Sequence, residues 1–196
     1  MLRVKRGDRA AFEELVVKYQ QPIVNLMGRM LGDPVEAEDL AQGAFVQVFR
    51  FAHRYRDSAK FSTWLYTIAR NLCLNELRRR SRHPAESLDA AQPDDASQPL
   101  HAVADAREPA APDRLLRREL EQKVQEALDA LPANQRLAVL LCREEDVSYE
   151  EIARIVGCSL SATKSLIFRG RETLKQRLKP YLRTGQWGEP QEGEQL

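Results

Sequence analysis

From His83 to Asp113 the chain turns to Pro, Ala, Asp and Gln with few large apolar residues, and this stretch divides everything else. A segment of that composition cannot bury enough apolar surface to offset the entropy of ordering it. Whatever packs must therefore pack on either side of it, as two small bodies. Charge follows the same division: net +3 over residues 1–10, +3 over 11–82, −6 over 83–113, +4 over 114–183 and −3 over the tail. Two basic bodies flank an acidic strap, although the formal charge of the whole chain is only +1.

Several classes of function drop out early. With 43% hydrophobic and 30% charged residues the composition is that of a soluble globular protein. No apolar run approaches the ~20 residues that span a bilayer, and "MLRVKRGDRAAFEE" lacks the hydrophobic region of a signal peptide. A cytoplasmic location without membrane insertion is expected. Cys73, Cys142 and Cys158 are odd in number and far apart, which favours reduced thiols over a disulfide framework. No CxxC pair or nearby His supplies a metal-ligand set. His53, His83 and His101 have no neighbouring nucleophile arrangement, and no Gly-rich phosphate loop is present, so neither enzyme chemistry nor a cofactor is expected.

Helical periodicity dominates both halves. "FEELVVKYQQPIVNLMGRML" sets Phe12, Leu15, Val16, Tyr19, Ile23, Leu26 and Met30 near one face, with Pro22 expected to bend the helix rather than end it. Asp33, Pro34 and Glu36 then form a helix-start signal for a second helix. "FSTWLYTIARNLCLNELRRRSR" is expected to start a third at Ser62, with Leu65, Ile68 and Leu72 inward and Trp64, Thr67, Asn71 and Arg78 on the adjacent stripe. Beyond the strap, a helix capped by Asp113 runs toward Pro132, and "ANQRLAVLLCREE" supplies a short apolar one.

The segment "VSYEEIARIVGCSLSATKSLIFRGRETL" carries the clearest chemistry. Ser148 and Glu151 have capping-box spacing, and Gly157 sits where a helix must stop with positive φ. Ser159 then caps a second helix after a turn of about three residues, the pattern of a helix-turn-helix. Small Ala153 allows close approach, and Leu160, Thr163, Ile167 and Leu174 face the first helix. Ser161, Ala162, Lys164, Ser165, Phe168, Arg169 and Arg171 are left outward. Short hydroxyl side chains at a helix start can approach base edges in a major groove, while the cations reach phosphates or guanine. The motif specifies duplex binding and leaves open a stand-alone regulator.

The first half has its own display: "HRYRDSAKFSTWLYTIARN" interleaves Tyr55, Phe61, Trp64 and Tyr66 with Arg54, Arg56, Lys60 and Arg70, ending in Arg78, Arg79, Arg80 and Arg82. Flat rings beside cations suit unstacked bases on a single strand, although such rings also serve as core, the expectation for Tyr66.

Taken together, "GDPVEAEDLAQGAFVQVFR", "FSTWLYTIARNLCLNELRRR" and "LPANQRLAVLLCREEDVSYEEIARIVGCSLSATKSLIFRGRETLKQRL" resemble, in order and spacing, the extracytoplasmic-function sigma factors of bacterial RNA polymerase. The resemblance implies an all-α fold of two helical domains, residues 1–82 (sigma region 2) and 113–183 (sigma region 4), with residues 83–112 as a flexible acidic linker and 184–196 as a tail. It implies a transcription initiation factor with core RNA polymerase and promoter DNA, both duplex and melted non-template strand, as partners, and an anti-sigma factor as restraint. Glu38, Asp39, Leu40, Gln42 and Val46 would dock on the polymerase. Tyr55, Phe61, Ser62, Trp64, Thr67 and Asn71 would read and melt the minus-ten element, with Arg78, Arg79, Arg80 and Arg82 on phosphates upstream. Ser159, Ser161, Ala162, Lys164, Ser165, Phe168, Arg169 and Arg171 would read the minus-thirty-five element. Relatives usually carry Val where Thr163 stands and Arg where Leu166 stands, so altered helix packing and one phosphate contact fewer are expected.

Overall fold

A computed structural model of the chain describes residues 1–57, 59–82 and 111–184, with side chains from 116 to 182 in the last stretch. The acidic strap and the tail expected from the sequence lie outside the described residues.

Short α1 (Leu2–Lys5) leads to α2 (Arg9–Leu31), α3 (Pro34–Arg50), a 3-10 turn at Ala52–Arg54, and α4 (Phe61–Arg82). After the strap come α5 (Ala111–Asp129), α6 (Ala133–Leu141), α7 (Tyr149–Val156) and α8 (Leu160–Thr184). All described secondary structure is helical, as the all-α reading required.

The helix starts are written locally. Asp8 Oδ1 accepts from Ala11 N at 3.0 Å to open α2, and Asp33 Oδ1 accepts from Glu36 N at 3.1 Å to open α3 with Pro34 at its first position. Each such cap contributes about 1 kcal/mol. Pro22 lies inside an uninterrupted α2. The third helix begins at Phe61, one residue before the expected Ser62. α5 begins at Ala111, so Asp113 is within the helix and is not its cap. Pro112 explains the earlier start, since its fixed φ suits the first helical turn and its missing N–H is not needed there.

The two helical bodies expected from the sequence are present, and they touch. α2, α3 and α4 form one bundle and α5 to α8 another, but α2 packs on α5 and α6, and α4 packs on α7. One cluster of buried side chains runs through both, from Ile23, Met27, Met30 and Leu65 to Leu137, Leu141, Ile152 and Ile155.

Polar links at the end of α2 tie the halves together. The last carbonyls of a helix have no partners within it. Here Arg29 O accepts from Gln125 Nε2 at 3.2 Å, Met30 O from Arg136 Nη1 at 2.7 Å, and Leu31 O from Arg80 Nη1 at 2.9 Å. Two of those three donors belong to the second bundle. Arg136, buried on α6, also donates to Asp129 Oδ1 at 2.7 Å and to Asp129 O at 2.8 Å.

Candidate nucleic-acid interface

In the helix-turn-helix, the capping box closes reciprocally: Glu151 N donates to Ser148 Oγ at 3.3 Å, and Ser148 N donates to Glu151 Oε2 at 2.8 Å. α7 stops at Gly157, whose φ of +77° is one that side chains rarely adopt. Ser159 Oγ then accepts from Ala162 N at 3.2 Å to open α8.

Thr163 and Ile167 are buried on the inner side of α8, and Leu160, Leu166 and Leu174 are half-buried. Thr163 stands where an apolar residue would pack, and its hydroxyl is satisfied by donating to Ser159 O at 3.0 Å, with Cys158 Sγ 3.2 Å away. Leu166 packs toward the core.

Outward lie Ser159, Ser161, Lys164, Ser165, Phe168, Arg169 and Arg171, with Ala162 half-buried. Phe168 is 67% exposed, an unusual position for an aromatic ring with no partner to cover it. Arg171 leans back, its Nη2 donating to Cys142 Sγ at 3.1 Å. Lys164 and Arg169 are thus the outward cations nearest the start of α8.

Gly170, within the same helix, is a position that motif reading passed over. A Cβ there would meet Val139 Cγ2 at 2.6 Å, so the missing side chain lets α8 lie close on α6. Gly170→Ala is expected to destabilise the protein by about 1–3 kcal/mol through overpacking, measured as a lower Tm. Gly43→Ala, whose Cβ would meet nothing within 4 Å, should not lower it.

On the first bundle, Tyr55, Phe61 and Trp64 form one aromatic cluster. Tyr55 and Trp64 rings are 5.4 Å apart, Phe61 and Trp64 6.3 Å, and Tyr19 stacks edge-on against Phe61 at 5.3 Å. Phe61 and Trp64 keep part of their surface exposed. Tyr55 is buried, and its hydroxyl donates to Ala59 O at 2.9 Å, so it pins the loop leading into α4. Burial, with Asp57 adding to it, raises the Tyr55 pKa.

Ser62 is buried as well, and Thr67 turns its hydroxyl onto Thr63 O at 2.7 Å. Asn71 is exposed and accepts weakly from Arg70 Nη1 at 3.4 Å.

The arginine run divides in two. Arg80 turns inward, with Nε on Glu76 Oε1 at 3.1 Å, Nη1 on Leu31 O and Nη2 on Glu36. Arg79 pairs bidentately with Glu76 at 2.8 and 2.9 Å. Arg79 and Arg80, expected on phosphates, thus also brace the end of α4 against α2 and α3, Arg80 half-buried and Arg79 with its side chain 54% exposed. Arg78 and Arg82 stay outward and, with Asn75 and Arg79, line an open concavity of ≈ 310 Å³.

α3 presents a third surface. Val35, Glu38, Asp39, Gln42, Val46 and Phe49 recur at helical spacing and are all exposed, Val46 by 56% and Phe49 by 51%. Leu40, expected among them, is half-buried against the core. Phe49, which sequence reasoning passed over, stacks on Phe12 with centroids 5.2 Å apart. A stripe of exposed apolar groups beside two carboxylates fits a partner helix with a cationic flank.

The seam holds residues that motif reading missed. Tyr66 is buried and its hydroxyl donates to Glu144 Oε2 at 3.0 Å. Burial first, then the Glu144 charge, raise the Tyr66 pKa. Glu151 accepts from Thr63 Oγ1 and Lys60 Nζ, both at 3.3 Å. Burial pushes its carboxyl up, but the Ser148 N–H and the Lys60 ammonium outweigh that and hold it below the ordinary value. The three cysteines are free, and burial pushes the Cys73 thiol up to about 12. No helix among the described residues is long and apolar enough to cross a membrane.

Family models for sigma-70 region 2 and sigma-70 region 4 match residues 15–83 and 121–174. The chain is 39% identical over 181 residues to the RNA polymerase sigma-H factor of Pseudomonas aeruginosa, covering 92% of this chain and 93% of that one. It is 34% identical over 183 residues to the ECF RNA polymerase sigma-E factor of Escherichia coli, with the same coverage. Among solved structures it is similar to the sigma factor RpoE of Bartonella quintana in complex with the anti-sigma factor NepR. That match has a TM-score of 0.66 and 25% identity, and covers 86% of this chain and 97% of that one. CnrH in complex with the cytosolic domain of CnrY shares the fold, with a TM-score of 0.64 and 20% identity over 91% and 94% of the two chains.

Proposed function

The chain belongs to the extracytoplasmic-function sigma factors of the sigma-70 family, and on that premise we propose how its surfaces divide the work of promoter recognition. It is a transcription initiation factor that directs RNA polymerase to promoters. Residues 1–82 serve as the unit that docks on core enzyme and opens the minus-ten element. Residues 113–183 read the minus-thirty-five element, and the acidic strap of 83–112 tethers the two.

The α3 stripe of Glu38, Asp39, Gln42 and Val46, extended to Phe49, meets the polymerase. Phe61 and Trp64, half-buried at the start of α4, receive an unstacked base, with Asn71 two turns beyond Trp64 on the same helix. Stacking on an aromatic is worth about 1–3 kcal/mol per base, so melting needs the phosphate contacts of Arg78 and Arg82 as well. Tyr55 supports that pocket from beneath. On α8, Ser161, Ala162 and Ser165 approach base edges while Lys164 and Arg169 meet phosphates, each contributing about one unit to the salt slope of binding. The chain supplies no catalysis of its own and works in the cytoplasm. An anti-sigma protein is the partner that restrains it, a reading supported by the solved relative held by NepR.

The observation that carries this proposal is the outward row of Ser161, Lys164, Ser165, Phe168 and Arg169 on the second helix of a fully capped helix-turn-helix. The test is transcription by core enzyme supplemented with the full chain on a genomic promoter library, followed by permanganate probing of the selected promoters. Chain-dependent transcripts with reactive thymines near minus ten are expected. Tight duplex binding without core enzyme, and no transcripts with it, would instead favour a stand-alone regulator.

A further inference from the structure

α1 is only four residues long, yet it reaches the loop that leads into α4. Val4 is buried and forms, with Ala11 and Ala52, a small apolar cluster of its own, against which Met1, Phe12 and Leu15 pack. This seats α1 on the 3-10 turn at Ala52–Arg54. From that seat Lys5 Nζ donates to Tyr55 O at 2.9 Å, across 50 residues of sequence.

Tyr55 is where the turn ends and the aromatic cluster begins. Its N–H makes the last bond of the turn, to Ala52 O at 3.1 Å, and its backbone then leaves extended, with φ −60° and ψ 131°. Its carbonyl therefore lies beyond the hydrogen bonds of the turn and needs a donor from elsewhere. Lys5 supplies one, as a charge-assisted bond. On the other side the Tyr55 hydroxyl donates to Ala59 O at 2.9 Å, so the loop is held at both the main chain and the side chain of one residue. The Tyr55 ring, fixed between these two bonds, lies 5.4 Å from Trp64 and 6.5 Å from Phe61.

Resting on the assignment of Phe61 and Trp64 to the unstacked base, we propose that Lys5 is a positioning residue for base capture: its bond to Tyr55 O fixes the floor on which the two exposed rings stand. The base touches the rings and not Lys5. Without that bond the loop samples other positions, only a fraction of molecules present the pocket ready-made, and affinity for the captured base falls by that fraction. A second role for the same ammonium, as a direct phosphate contact, predicts a different result and is separated below.

The experiment uses holoenzyme assembled from core enzyme and the full chain. Its ligand is a fluorescent single-stranded oligonucleotide, the non-template minus-ten strand of a promoter that the holoenzyme selects, and binding is followed by anisotropy. An abasic site scanned along the strand locates the captured base in the wild type, and the ratio of affinities for the intact and abasic strands measures its capture. Lys5→Met removes the bond and Lys5→Arg keeps a charged donor. Val4→Ala loosens the seat of α1 with the ammonium intact. Arg9→Met is the charge-matched control, an exposed cation of the same basic run with no bond to the loop among the described residues.

Lys5→Met is expected to lower the capture ratio about fivefold, the lower end of what stacking one base contributes, with affinity for the abasic strand and the salt slope unchanged. Val4→Ala should lower the ratio in the same direction, Lys5→Arg should restore most of it, and Arg9→Met should leave it at the wild-type value. A wild-type ratio in Lys5→Met would overturn the brace, even if its Tm fell, since α1 would then be structural only. So would an equal loss on intact and abasic strands with a salt slope shallower by about one unit, the mark of a phosphate contact. A wild-type holoenzyme indifferent to every abasic site would instead sink the pocket itself, and the brace with it.

Discussion

Val46→Asp is expected to abolish holoenzyme assembly at concentrations that saturate the wild type, with core affinity falling about 100-fold or more. Val46 is 56% exposed and makes no contribution to the core, so the substitution should leave Tm unchanged. The loss arises when α3 docks: a carboxylate is driven into an apolar contact with no partner, a desolvation penalty of several kcal/mol, and ~2.7 kcal/mol already corresponds to 100-fold. It would also add a third acid beside Glu38 and Asp39. Competition against a labelled wild-type chain for core enzyme measures the effect directly. Full competition by the variant would remove α3 from the docking surface. Gln42→Ala, an exposed polar truncation on the same stripe, should cost far less.

Arg136→Ala is expected to cost about 2–4 kcal/mol of stability, because it strips two carbonyls of their charged donor and leaves a gap where the buried guanidinium lay. Met30 O at the end of α2 and Asp129 O at the end of α5 both accept from this one guanidinium, which also meets the half-exposed Asp129 carboxylate, itself bonded to Gln125. Burial lowers the Arg136 pKa, the Asp129 carboxylate opposing that, so the charge is held in place by its partner rather than by solvent. For a chain of this size the loss corresponds to a Tm lower by about 10 °C. Because Met30 belongs to the first bundle, the change should also loosen the seam. Asp129→Asn alone, which keeps an acceptor for Arg136 at the same place, should cost less than Arg136→Ala. A Tm within a degree or two of wild type would show that water replaces the guanidinium without penalty.

The elements were legible wherever a local rule decides them. Asp33, Ser148 and Ser159 each cap the helix that follows, and Gly157 turns with positive φ. The outward and inward faces of α8 could be read from spacing alone, down to buried Thr163 and exposed Phe168. Asp113 misled because a Pro one residue earlier offers an equally good start, and two competing local signals leave the choice to packing. The roles of the arginines were not legible. "ELRRRSR" reads as one basic run, yet Arg79 and Arg80 both bond Glu76 and Arg80 alone is drawn inward, while Arg78, Arg79 and Arg82 stay exposed. Tyr55 is buried against Trp64 and pinned by its hydroxyl to Ala59, contacts set by how the loop folds back and not by any periodicity. The seam was out of reach because its partners, such as Tyr66 and Glu144, lie in different halves of the chain. Only the Arg within "ANQRLAVLL" hinted at it, since a cation on an apolar helix must find acceptors somewhere.

Glu151 begins α7 and at the same time grips Lys60 and Thr63 of the opposite bundle. One carboxylate thus answers for two joints, and a replacement there should loosen the start of α7 and the join between the bundles together, at a greater cost in Tm than Glu144→Gln, which gives up its bond to Tyr66 alone.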